Sequence, residues 1–120
     1  MLRKILFICV FVLPVFAHAE SSADISSYLV GKWKVESVKK VGSTEFKPPI
    51  HPMKWEFTHN GKLIEELGSN GAKVQWGYHV VGGEIKVRLG NISFSWKILG
   101  MKPNVMFIRH QLGILKVIRI

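Results

Sequence analysis

Residues 75–98 read QWGYHVVGGEIKVRLGNISFSWKI, and their pattern decides the fold. Apolar and polar residues alternate on both sides of Gly82-Gly83 and of Gly90-Asn91. Both dipeptides tolerate positive φ, as two-residue hairpin turns require, so each joins neighbouring antiparallel strands. Residues opposite one another across such a turn share a face. Val80 then pairs with Ile85, Tyr78 with Val87 and Trp76 with Leu89, and the same face continues as Ile92, Phe94, Trp96 and Ile98. Gln75, His79, Glu84, Lys86, Arg88, Ser93, Ser95 and Lys97 fall on the other face. Two independent turns thus agree on which side is the interior.

Working outward, period-two runs and turn residues predict eight strands, at about 32–41, 53–59, 62–68, 73–81, 84–89, 92–99, 105–111 and 114–120. Asn60-Gly61 and Asn70-Gly71 supply two further turns, Met101-Lys102-Pro103-Asn104 a four-residue one and Leu112-Gly113 another tight one. Across the 101–104 turn Ile98 meets Phe107 and Trp96 meets Arg109, which puts Arg109 inside. Met53, Trp55 and Phe57 share a face, onto which a two-residue turn at Asn60-Gly61 brings Ile64 and Glu66; a bulge there brings Glu65 instead. One connection is long, Gly42 to Pro52, where Pro48, Pro49 and Pro52 cannot donate to a ladder. Ahead of the first strand, Ser22-Ala23-Asp24-Ile25 can start a short helical turn running to Tyr28-Leu29-Val30. The expected fold is all-β, an antiparallel eight-strand meander. Closure into a small barrel removes its two exposed edges and encloses an interior wide enough for side chains or one small ligand.

The N-terminus carries Arg3 and Lys4, an apolar run from Ile5 to Phe16, and Ala17-His18-Ala19 before Glu20. That order is a secretory signal peptide over 1–19, cleaved after Ala19. The run is too short to cross a bilayer and Cys9 lies in a poor lipobox context, so no membrane span or lipid anchor is expected. The remainder, 20–120, is long enough for one domain and has no cysteine to staple it. It keeps fifteen Lys and Arg against eight Asp and Glu, a balance of +7 spread along the chain. Such a charge favours anionic partners, whereas the absence of a clustered basic stripe argues against nucleic acid. The expected location is periplasmic or secreted.

Leu29-Val30-Gly31-Lys32-Trp33 resembles the Gly-x-Trp motif that opens the first strand of lipocalins. The stretches Trp55-Glu56-Phe57 to Leu63 and Trp76-Gly77-Tyr78 to Ile85 are similar to small bacterial lipocalin-like (calycin-type) domains. The resemblance spans the chain from about Leu29 onward and implies a ligand-holding barrel. It also implies that the motif Trp packs near an Arg of the last strand, for which Arg119 is the positional match. The mature chain is short for a full lipocalin, a departure that bears on the depth of the cup and on a C-terminal flanking helix.

Little here supports catalysis, and no enzyme activity or cofactor is expected. Asp24 is the single aspartate, no cysteine follows Cys9, and His51, His59, His79 and His110 lack close ligand spacing, so no metal site is expected either. No phosphate loop, G-x-S-x-G elbow or H-E-x-x-H occurs. The informative set is aromatic: Trp55, Phe57, Trp76, Tyr78, Phe94, Trp96 and Phe107 are all assigned to the interior, where they form either a packed core or the lining of a ligand cavity. Arg109, buried among them, must pair with Glu66 or receive a ligand carboxylate. Met106, Ile108, Leu115 and Val117 are assigned to the outer face of the last hairpin. That apolar face is covered by the segment around Ile25–Leu29 or, the favoured expectation, by a second copy or an envelope partner. The leading functional expectation is an exported protein holding an apolar or amphipathic, or anionic, small molecule. A docking module with a filled core is the alternative, and an enzyme comes third.

Overall fold

A computed structural model describes residues 22–120 of the chain. The signal segment and the cleavage site after Ala19 lie outside the described residues. One helix, α1 (Ser22–Leu29), precedes eight strands: β1 (Gly31–Lys39), β2 (Met53–Phe57), β3 (Lys62–Leu67), β4 (Ala72–Val81), β5 (Glu84–Leu89), β6 (Ile92–Lys102), β7 (Val105–His110) and β8 (Gly113–Arg119). Each strand pairs antiparallel with the next, and β1 pairs with β8, so the meander closes into a barrel. Closure leaves no unpaired edge to template aggregation.

The central turns behave as their residues require. Val81 pairs with Glu84 across Gly82-Gly83, and Leu89 with Ile92 across Gly90-Asn91. Gly82 (φ 61°) and Gly90 (φ 60°) occupy the left-handed region. At Asn60-Gly61, Phe57 pairs with Leu63 and the Thr58 N–H donates to the Lys62 carbonyl at 2.8 Å, with Gly61 at φ 85°. Three residues, not two, therefore make this loop, the bulged form among hairpin connections. Of the two candidate inward carboxylates, it is Glu65 that turns inside, opposite Trp55.

The β6–β7 hairpin corrects the sequence reading. Its turn is two residues, Pro103-Asn104, with Lys102 opposite Val105, and β6 carries a bulge between Ile98 and Gly100. Beyond the bulge Lys97 faces Arg109 and Ile98 faces Ile108. The parity of β7 is thereby reversed. Arg109 is exposed on the outside and Phe107 lies half-buried against the loop residue Phe46, while Met106, Ile108 and His110 turn inward. Through β8 the reversal carries Leu115 and Val117 inside, opposite Ile108 and Met106. Met106, Ile108, Leu115 and Val117 are each 0% exposed, so the apolar face assigned to a partner is the barrel's own core.

One end of the barrel is closed. Leu29 and Ile25 of α1 are buried against it, and the Trp33 indole N–H donates to the Leu29 carbonyl at 2.8 Å. The Arg119 guanidinium stacks on the Trp33 ring at 4.1 Å and donates to the carbonyls of Val30 (3.2 Å) and Tyr28 (2.8 Å). A planar fork with several donors can bind two carbonyls and cover an aromatic face at once. Phe57, Leu63, Ile85, Val87, Val35 and the inward residues of β7 and β8 fill the space above this plug.

Candidate functional site

The opposite end is open because of the long β1–β2 connection. Its prolines keep residues 48–52 out of the ladder, yet Lys47 pairs with the end of β1, its carbonyl accepting from the Val38 N–H (2.7 Å) and its N–H donating to the Val38 carbonyl (2.9 Å). The loop is thus anchored at Lys47 and beyond it borders the mouth. With the turns after β3 and β7 it borders an open-sided cavity of about 1260 Å³. Its apolar walls are Val38, Val41, Pro48, Pro49, Ile50, Met53, Leu67 and Leu112; Lys40, Lys47 and Glu45 contribute charge, His51 an imidazole and Gln111 an amide. Ligand cavities of this character are mostly apolar with a few placed polar groups.

Below the mouth stands a layer of rings. Trp55 and Trp96 stack at 5.0 Å with 13° between their planes, and His110 lies 4.7 Å from Trp96 and 6.0 Å from Trp55. The indole nitrogens of this layer and His110 Nδ1 each have a partner. The Trp96 indole donates to Gln111 Oε1 at 2.8 Å, which links the layer to the cavity wall. Trp55 and Trp76 donate to Glu65 Oε2 and Oε1, both at 3.1 Å. His110 Nδ1 accepts from the Leu112 N–H at 3.1 Å, which places the ring's proton on Nε2 in the neutral form. That Nε2–H is buried and has no partner among the described residues. Burial pushes the His110 pKa from its ordinary 6.5 down to about 4.

The candidate residues are therefore brought together only in part. Trp55, Phe57, Tyr78 and Trp96 are inside and nearly fully buried. Phe57 meets Tyr78 edge-on at 4.9 Å, and the Tyr78 hydroxyl donates to the Thr58 carbonyl, with burial raising its pKa. Trp76 and Phe94 are inside but half-buried, 6.0 Å apart. Phe107 and Arg109 are outside, for the reason given above, and none of these eight lines the mouth cavity. Sequence reading missed His110, Gln111 and the loop. Apolar Val41 and Ile50 within a proline-rich connection were the available signal for the loop; His110 was concealed by the reversed parity of β7. Among the described residues no group of three or more His, Cys, Asp or Glu is placed to hold a metal.

A lipocalin-like protein from Bacteroides uniformis superposes with a TM-score of 0.62 at 13% identity, over 78% of this chain and 99% of that one. The fold is a lipocalin-like barrel. An uncharacterized protein from Bacteroides eggerthii gives a TM-score of 0.61 at 10% identity, over 77% of this chain and 99% of its own. No family model and no curated protein matches the chain. In this lipocalin-like barrel the Gly-x-Trp segment and Arg119 do meet, as the resemblance implies, at the closed end.

Proposed function

We propose that the chain is an exported binding protein that holds a small apolar or amphipathic molecule in the mouth of its barrel. The observation that carries this reading is the 1260 Å³ apolar-walled cavity at the open end. An apolar cavity of that size gains about 25 cal/mol for each Å² of apolar ligand surface it removes from water. The rings beneath it are packed against one another, which makes them the floor of the site and not its lining. A docking role for the last hairpin loses its support, because that face is internal.

Trp96 provides the readout, since its indole is bonded to Gln111 of the cavity wall. Titrating purified protein with a panel of apolar and amphipathic compounds should shift tryptophan emission saturably. Ala72→Trp, which puts a large ring at the mouth, should weaken the response without unfolding the barrel. A flat response across the panel overturns the reading. Export is tested separately by mass spectrometry of protein from the native host, which should find Glu20 at the N-terminus.

A further inference from the structure

Among the described residues the interior contains a carboxylate and no cation to balance it. Glu65 is 7% exposed, and neither of the ion pairs among the described residues involves it. Arg109, the one cation assigned to the interior by sequence, is on the outer surface. The two indole donors hold each carboxylate oxygen in place but carry no net charge, and each oxygen retains a lone pair. A buried charge without a counter-charge is costly unless something else meets it.

Its position says what can. On β3 the inward residue next toward the mouth is Leu67, and on β2 Met53 stands in the same relation to Trp55; both line the cavity. Two residues of a strand span about 7 Å, so the Glu65–Trp55 pair lies one residue layer beneath these two lining residues, at the level of the ring floor. Trp76, which bonds the same carboxylate, and Phe94 are half-buried with their rings 6.0 Å apart, and aromatic faces attract cations. Beside the same Trp55 ring, the unpartnered His110 Nε2–H offers one donor to an acceptor on the ligand.

We infer that the Glu65 carboxylate, held by Trp55 and Trp76, is a subsite for the cationic end of the ligand, an organic ammonium whose apolar body occupies the mouth cavity. This deepens the binding role proposed above and rests on it. It reverses the sign that the net charge of the chain suggests, +9 over all 120 residues. That net charge makes the test stringent. The field outside repels ammonium ions and is screened over about 8 Å at physiological salt, whereas a contact to a buried carboxylate is not.

The experiment compares octylammonium, octanol and octanoate, equal in length and differing in head group, by tryptophan emission and calorimetry at about 0.15 M salt. Wild-type protein should bind octylammonium about ten-fold or more tighter than either of the others, the scale of one charge-assisted contact. In Glu65→Gln the preference for octylammonium over octanol should vanish; the amide can accept from only one of the two indoles, so the readout is the ratio of the two affinities within the variant and not octanol affinity against wild type. Near-UV circular dichroism of the indoles reports whether that variant keeps its core, and the wild-type series stands as a test without it. Equal affinity for all three compounds, tighter octanoate binding, or a preference that survives in a folded Glu65→Gln overturns the ammonium subsite and leaves the cavity reading intact. Failure of all three to bind overturns both.

Discussion

Between pH 6.5 and about 4, acid should destabilise this barrel through His110. Its pKa is about 4 in the folded state against an ordinary 6.5, and burial is the cause. The unfolded chain therefore binds a proton that the folded one refuses between these values. Stability attributable to the neutral ring is complete above pH 6.5 and is lost as pH falls toward 4, by up to about 1.4 kcal/mol per pH unit. Over the whole window this amounts to about 3 kcal/mol, a large share of the 5–15 kcal/mol typical of a small domain. The structure shows why the ring resists protonation. Nδ1 is already the acceptor for the Leu112 N–H, so a proton there sets donor against donor, and the ring lies beside the Trp96 and Trp55 indoles, away from water. The interior carboxylate, Glu65, is bonded to the same Trp55 indole.

The measurement is urea unfolding of wild type and His110→Leu between pH 7.5 and 4.5. Near pH 7 the two should agree within about 1 kcal/mol, since the variant loses the acceptor for Leu112 but also removes an unsatisfied buried N–H. Near pH 4.5 the variant should be the more stable by about 2–3 kcal/mol, which isolates His110 from the titration common to both proteins. A difference that does not change with pH refutes the reasoning. So does a His110 ring resonance that titrates between about pH 6 and 7, the range of an unperturbed imidazole.

Arg119→Lys should cost about 2–3 kcal/mol in denaturant unfolding despite keeping the charge, because an ammonium cannot cover Trp33 and donate in a fork to Val30 and Tyr28 together. Gly113→Ala should fail to fold or lose more than about 3 kcal/mol, since φ is 133° and a Cβ would stand 2.3 Å from the Lys39 carbonyl oxygen; Gly71→Ala, at φ 75° with open space, should cost only about 1 kcal/mol. Ile108→Ala should lose about 2–5 kcal/mol of stability with the mass in analytical ultracentrifugation unchanged, as expected of a core residue.

The central hairpins were legible in sequence because two-residue turns leave no freedom of register. Gly82-Gly83 and Gly90-Asn91 lock Ile85, Trp96, Val87 and Phe94 to one face, and the structure places them there. Closure into a barrel followed from counting edges. What sequence leaves open is the choice between two parities at a turn or bulge. At Asn60-Gly61 both parities are stated by the residues themselves, and a donor–acceptor pair between Thr58 and Lys62 selects one. The cavity was not legible, since it is built by a loop whose path depends on the Val38–Lys47 pairing, a contact that no periodicity records.

The β6–β7 hairpin shows how far such a slip reaches. Its two faces are both apolar, Met106 and Ile108 on one and Val105 and Phe107 on the other, so hydrophobic pattern cannot rank them. Pro103-Asn104 and the bulge between Ile98 and Gly100 decide the matter, and the decision moves more than four side chains. It removes a cation, Arg109, from the interior and brings in a neutral imidazole, His110. Glu65 is left as the interior's unbalanced charge. A register shift of one residue therefore converts an expected receptor for carboxylates into an arrangement suited to an ammonium group, because a buried site takes its ligand's charge from the groups it encloses and not from the net charge of the chain.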